Sequence, residues 1–236
     1  MSSEPDAASL WIVDPSVRHP EHQGVEQILQ DWSGRHRVFR PALSAGDGPA
    51  LGDGYDVDAV VVMGSAVSVH ESLPWARTLS DWLKPILDAE VVRPVLGICY
   101  GHQLVAHLAG GDVGFCDEGG NKRVGIETSN LFDGRLLPAP QSLEVVVSHR
   151  EEVKREPPGY RVVASRGPIA IDGLEHDSLP IFSFQFHPEA REEFAAHAGI
   201  APERLTDRVR KDAQRLLGAF RDLVRKRGQD TKLDEL

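Results

Sequence analysis

The chain has 236 residues, 41% of them hydrophobic and 26% charged, and a formal net charge of -10. That length leaves room for one large domain or two small ones, and the composition is that of a globular protein with a buried core. The acidic balance excludes a broad nucleic-acid surface, which needs a basic stripe.

In chain order, Leu10-Trp11-Ile12-Val13 is a short apolar run that predicts a strand. A helical pattern follows through Val25, Ile28, Leu29 and Trp32, then a second strand at Arg37-Val38-Phe39. Residues 44–54, rich in Gly and Asp, read as a loop. Residues 58–63 are apolar without alternation after Asp58, as expected of a strand buried on both faces. Residues 75–89 predict a helix with Pro74 in its first turn, where the missing N–H costs nothing. A fourth strand at 94–98 leads directly into a helix at 101–109, stopped by Gly110-Gly111. Alternation of this kind predicts an α/β fold with a mostly parallel central sheet flanked by helices.

The second half changes character. Short strands are predicted at 123–128, 143–148, 160–164, 169–171 and 181–186, separated by turn residues such as Pro157-Pro158-Gly159. They are expected to add antiparallel strands to the core or its edge. A final helix at about 202–227 carries Leu205, Val209, Ala213, Leu216, Phe220 and Leu223 in one apolar stripe. No repeat or long linker divides the chain, so residues 1–236 are expected to form a single domain.

Two cysteines, Cys99 and Cys116, are too few for a disulfide-stapled secreted fold and point to a reducing, cytoplasmic setting. The polar, acidic start lacks a leader's basic region, and no window approaches the roughly 18 apolar residues of a membrane span. The closing KLDEL is similar to a retention tail but reads as a solvated acidic end in the absence of a leader.

The candidate chemistry sits at Gly97-Ile98-Cys99-Tyr100-Gly101. A sharp strand-to-helix turn strains its central residue and needs small neighbours; the G-x-S-x-G nucleophile elbow has that form, here with cysteine. The helix N-terminus favours thiolate over thiol and offers free N–H groups to an oxyanion. A buried structural cysteine is the alternative. A thiol nucleophile needs a base, and the base an orienting group. His187 and Glu189 in FSFQFHPEA offer both: in extended backbone, residues two apart project to the same side. Cys116 reads as a core or loop thiol and His102 as structural. Trp75 and Trp82 read as packing residues. His70, His107, His176 and His197 lack metal-ligand spacing, and neither a metal nor a cofactor is expected.

Taken together, GICYGHQ, FQFHPE, VVVMGSAVSVHES and VVVSHREEV resemble the blocks of the class I glutamine amidotransferase domain, of the free-standing glutaminase type found with GMP synthase. The resemblance covers most of the chain from Val60 to Glu189 and implies a flavodoxin-like fold with a Cys-His-Glu triad. By it, Cys99 is the nucleophile, His187 the general base and acid, and Glu189 its orienting carboxylate. It implies an oxyanion hole from the N–H groups of Tyr100 and Ser65, beside Gly64. Gln103, Ser148 and His149 are then the contacts for glutamine. Gly64-Ser65-Ala66 departs from the family's Gly-Gly-Pro and puts that loop's backbone in question. Arg150, where a small residue is usual, either pairs with a substrate carboxylate or points to solvent. The implied activity is hydrolysis of glutamine or another γ-glutamyl amide, with ammonia passed to a separate synthetase subunit. The alternatives are a stand-alone γ-glutamyl peptidase and a regulatory module without turnover.

Overall fold

The computed structural model describes residues 8–138 and 141–234. The extreme N-terminus and the last two residues of the KLDEL tail lie outside them, as do the readings made on them. The chain forms β1 (Ser9–Val13), α1 (His22–Leu29), β2 (Arg35–Phe39), β3 (Ala59–Val62), α2 (Pro74–Leu87), β4 (Val95–Ile98) and α3 (Tyr100–Leu108). There follow β5 (Asp112–Phe115), β6 (Arg123–Leu131), β7 (Gln141–His149), β8 (Glu151–Arg155), β9 (Tyr160–Arg166), β10 (Ile169–His176), β11 (Ile181–Phe184), α4 (Glu192–Ala198) and α5 (Asp207–Asp234).

Nine strands make one sheet in the order β2-β1-β3-β4-β11-β10-β9-β6-β7, and β5 pairs with β8 apart from it. From β2 to β11 the neighbours are parallel; from β11 to β7 they are antiparallel. The parallel half has the flavodoxin order, in which ligands bind beyond the carboxyl ends of the strands. The α/β reading and the antiparallel additions of the second half are both present.

Apolar runs without alternation are explained by the two faces they serve. Leu10, Ile12, Val61, Met63, Leu96 and Ile98 pack on one side with Val25 and Ile28 of α1 and Leu216, Phe220 and Val224 of α5. Trp11, Val13, Val60, Val62 and Val95 pack on the other with Leu79, Trp82 and Leu83 of α2 and Leu104 and Val105 of α3. Successive side chains on a strand point to opposite faces, so only a sheet covered twice asks for apolar residues at every position. Trp82 stacks between Trp11 and Tyr55 at 5.5 and 5.4 Å, and its indole N–H donates to the Gly54 carbonyl, a packing role as expected.

Several boundaries differ from the sequence reading, two elements in ways that bear on the last helix and the site. The last helix starts at Asp207, because residues 202–204 form a separate 3₁₀ turn, and it runs on to Asp234. Strand β11 ends at Phe184 rather than Phe186, so His187 does not end a strand. Beyond Phe184 the chain leaves its ladder: Gln185 N–H donates to Asp172 O and His187 N–H to Val146 O. Strands β5 and β8 and the short helix α4 were not foreseen.

Candidate active site

The carboxyl ends of β3, β4 and β11 converge on one cavity of about 600 Å³. At the end of β4, Cys99 caps α3 with φ 50° and ψ -98°, one of three non-glycine residues with positive φ among those described. That conformation is strained for a side chain and survives only where the surroundings fix it. The flanking glycines supply the room. A Cβ on Gly97 would lie 2.6 Å from Gly101 O, and one on Gly101 would lie 2.1 Å from Val62 O. Cys99 is 3% exposed, and the Tyr100 N–H beside it belongs to a helical first turn, whose amides have no acceptor within the helix.

His187 and Glu189 are buried, with His187 Nδ1 2.8 Å from Glu189 Oε1, so the ring donates to the carboxylate. Pro188 and Glu189 lie in a turn, with Ala190 N–H donating to His187 O, so a turn and not extended backbone brings the pair together. Phe194 of α4 lies against the imidazole at 4.3 Å. Burial pulls the His187 pKa down, but the Glu189 carboxylate and the Cys99 sulfur outweigh it and hold the pKa above its ordinary value. Nε2 of His187 is buried without a hydrogen-bond partner among the described residues. Gly64 closes the group: a Cβ there would lie 2.8 Å from His187 Cε1 and 3.5 Å from Cys99 Cβ.

Ser65 does not adopt positive φ, so the departure from Gly-Gly-Pro carries no left-handed strain. Its hydroxyl donates to Pro15 O at 2.8 Å. Further along the loop, the Ser68 N–H donates to Glu71 and its hydroxyl to Glu151, each at 2.9 Å. Gln103 and Ser148 line the cavity. The Gln103 amide donates to Glu151 O at 2.8 Å and to Gln185 Oε1 at 3.2 Å. His149 lines the cavity too, but its ring nitrogens are engaged: Nε2 accepts from Arg166 at 2.9 Å, which leaves the proton on Nδ1 to donate to Glu151 O at 3.0 Å. Cys116 lies 3.3 Å from that Nδ1, and burial raises its pKa to about 12, as expected of a structural thiol. His102 is likewise structural, with Nδ1 2.8 Å from the Ser183 hydroxyl of β11.

The network behind His149 escaped the sequence reading. Arg166 of β9 is 1% exposed and bonds Asp172 of β10, which is 0% exposed. Asp172 also accepts from the Ser129 hydroxyl at 2.6 Å, and Glu127 flanks the same guanidinium. The only signal was charged residues inside apolar strands.

Burial sets the pKa of both His102 and His149 down to about 3, with the Arg166 charge adding to the effect at His149. The unfolded chain takes protons on them near pH 6.5 and the folded chain does not. Below that pH the unfolded state therefore binds more protons, and stability falls with falling pH. The urea midpoint is expected to drop from about pH 6.5 toward pH 3, and less steeply in His102→Asn. Equal slopes in the two proteins would show that His102 does not stay neutral.

Among the described residues, no helix is long and apolar enough to cross a membrane, and no group of three His, Cys, Asp or Glu is arranged to hold a metal ion.

An elbow cysteine, a carboxylate-bonded histidine and a flavodoxin-type sheet define the class of protein. Residues 54–201 match the family model for glutamine amidotransferase class-I, and the chain belongs to that family. It is 41% identical over 99 residues to one subunit of the glutamine-hydrolyzing GMP synthase of Thermococcus kodakarensis, covering 41% of this chain and 50% of that protein. It is 35% identical over 136 residues to the corresponding protein of Saccharolobus solfataricus, covering 57% and 68%. The match thus spans half the length of the first of these relatives. A solved glutamine amidotransferase from Thermotoga maritima superposes with a TM-score of 0.70 over 94% of this chain and 98% of that one; at 18% identity this speaks for the fold.

Proposed function

We propose that the protein is a thiol amidohydrolase that cleaves the side-chain amide of glutamine to glutamate and ammonia. The Cys99 thiolate attacks the carboxamide carbon, and the oxyanion rests on the N–H groups of Tyr100 and Ser65, beside Gly64. Such a donor contributes about 2.7–4 kcal/mol to the transition state. His187 protonates the departing nitrogen as the C–N bond breaks, leaving a glutamyl thioester on Cys99. His187 then takes a proton from water, which hydrolyses the thioester. Glu189 keeps the ring oriented. Gln103, Ser148 and the backbone at His149 border the space for the glutamyl half.

The observation that carries the reading is the convergence of Gly64, Cys99 and His187 with a carboxylate on the far side of the imidazole. The relatives, named for glutamine hydrolysis within GMP synthase, support a separate ammonia-consuming synthetase as partner. A second reading, hydrolysis of a larger γ-glutamyl amide, is favoured by a cavity of about 600 Å³, a volume that suits ligands well above glutamine in size.

An electrophilic glutamine analogue, such as a diazo-ketone, is expected to label Cys99 and spare Cys116. Peptide mass spectrometry decides, and labelling mainly at Cys116 overturns the nucleophile.

A further inference from the structure

The cavity is lined by three cations that the proposed glutamine hydrolysis does not use. Arg18 from the loop after β1, Lys122 just before β6 and Arg150 at the β7–β8 corner all line it with Cys99. Among the described residues none of the three forms an ion pair or a side-chain hydrogen bond. Carboxylates line the cavity too and, Glu21 apart, keep their charge, but among the described residues none forms an ion pair with these three. Glu71 and Glu151 accept from Ser68, and Glu189 holds His187. Glu21 is pushed up to about 7 by burial first and by Glu189 and Asp14 next, so its charge is partly lost at neutral pH.

The three cations act on one another. Burial lowers the Lys122 pKa, the Cys99 sulfur opposes that, and Arg150 and Arg18 lower it further. Lys122 is thus within electrostatic reach of both arginines and of the sulfur. Like charges gathered around a cleft repel one another and concentrate anions there. The chain as a whole carries -10, so three unpaired cations in one cleft run against its overall sign. Glutamine brings one carboxylate and one ammonium and is neutral overall. Three cations without an ion-pair partner can receive at least one further anion on the ligand, and the cavity has the volume to hold it.

We propose that the preferred substrate is a γ-glutamyl amide whose departing amine carries a carboxylate, and that Arg18, Lys122 and Arg150 form the subsite for that anion. The inference rests on the second reading above, hydrolysis of a larger γ-glutamyl amide, and names its substrate class. The chemistry is unchanged in balance: sulfur adds to the γ-carbonyl carbon, the C–N bond breaks, the acidic amine leaves with the proton from His187, and water releases glutamate.

The experiment compares kcat/KM for γ-glutamyl-glutamate, γ-glutamyl-methylamide and glutamine in the parent protein and in Lys122→Met/Arg150→Met. The parent is expected to prefer γ-glutamyl-glutamate over the methylamide by about tenfold or more, with the preference shrinking in about 0.5 M salt. The double variant is expected to lose most of that preference, and Arg150→Lys to keep it. Equal rates on the two amides in the parent overturn the subsite. An equal loss on both in the double variant also overturns it, because it places the cations on the α-carboxylate that both substrates share. The same comparison is made by calorimetry in the Cys99→Ala background. Tighter binding of γ-glutamyl-glutamate that depends on Lys122 and Arg150, in a parent that hydrolyses none of the three, retains the subsite and overturns the hydrolysis. Hydrolysis of glutamine without any anionic preference does the reverse.

Discussion

Cys99→Ala and His187→Ala are each expected to lower kcat/KM for glutamine by roughly 10⁴-fold or more, and Glu189→Gln by roughly 10²-fold. The difference follows from what each group does. In the proposed mechanism no thioester forms without the sulfur, and without the imidazole no group is placed to move the proton. Glu189 touches neither; it accepts the Nδ1 proton of His187 and so fixes the ring and its tautomer. An amide at that position keeps an oxygen acceptor but loses the charge that favours the imidazolium. Near-parental rates in His187→Ala, with an unchanged urea midpoint, defeat the assignment. So does activity that disappears in Cys116→Ser while surviving in Cys99→Ala.

Arg166→Met is expected to destabilise the fold by about 3–5 kcal/mol, the usual cost of stranding one member of a buried ion pair. Its guanidinium lies 3.0 to 3.2 Å from Asp172 and 2.9 Å from His149 Nε2. Methionine fills similar space but leaves a buried carboxylate without a counter-charge. It also leaves an imidazole nitrogen without a donor, on the wall of the catalytic cavity. Arg166→Met/Asp172→Leu is expected to recover most of the loss, since an apolar pair removes both charges together. Urea unfolding reads both variants. A cost below about 1 kcal/mol for the single variant is the value of an exposed pair, and would mean that the network contributes little to holding β9, β10 and β7 together.

The centre of the parallel half was legible because β3 and β4 are covered on both faces and carry no polar residue, whereas the edge strand β2 is largely exposed. The elbow was legible because Gly97 and Gly101 have backbone in the place of a side chain, and no other residue fits. His187 and Glu189 were legible as a pair, although the extended backbone invoked for them is in fact a turn. The second half was harder. Strand β6, with Glu127 inside it, runs past its expected end through Ser129 and Asn130 to Leu131, and β10 runs on to His176 because Asp172 and Glu175 look like interruptions. They continue the strands because Arg166, Arg135 and Arg161 neutralise them from neighbouring segments, which a local reading does not see. Strands β5 and β8 hold only Val113 and Val153 as buried apolar residues, too few to leave a pattern. Helix α4 is short, and its legible signals were the acidic first turn and Gly199 in the left-handed cap. The cations at Arg18, Lys122 and Arg150 share a cavity only because three distant loops meet there.

The pairing of β4 with β11 also orders events in time. Strand β4 ends at Ile98 and β11 begins at Ile181, and six strands form between them in the chain. During synthesis Cys99 therefore emerges long before His187, its proposed base, and the two meet only after this long intervening stretch has been threaded back onto the sheet. Contacts of such long range form slowly, because the chain entropy is lost before the pairing returns any stability. A half-made chain thus carries Cys99 without His187 and is expected to be chemically quiet. The appearance of hydrolysis during refolding should serve as a clock for this last closure, running behind any signal from β1, β2 and β3.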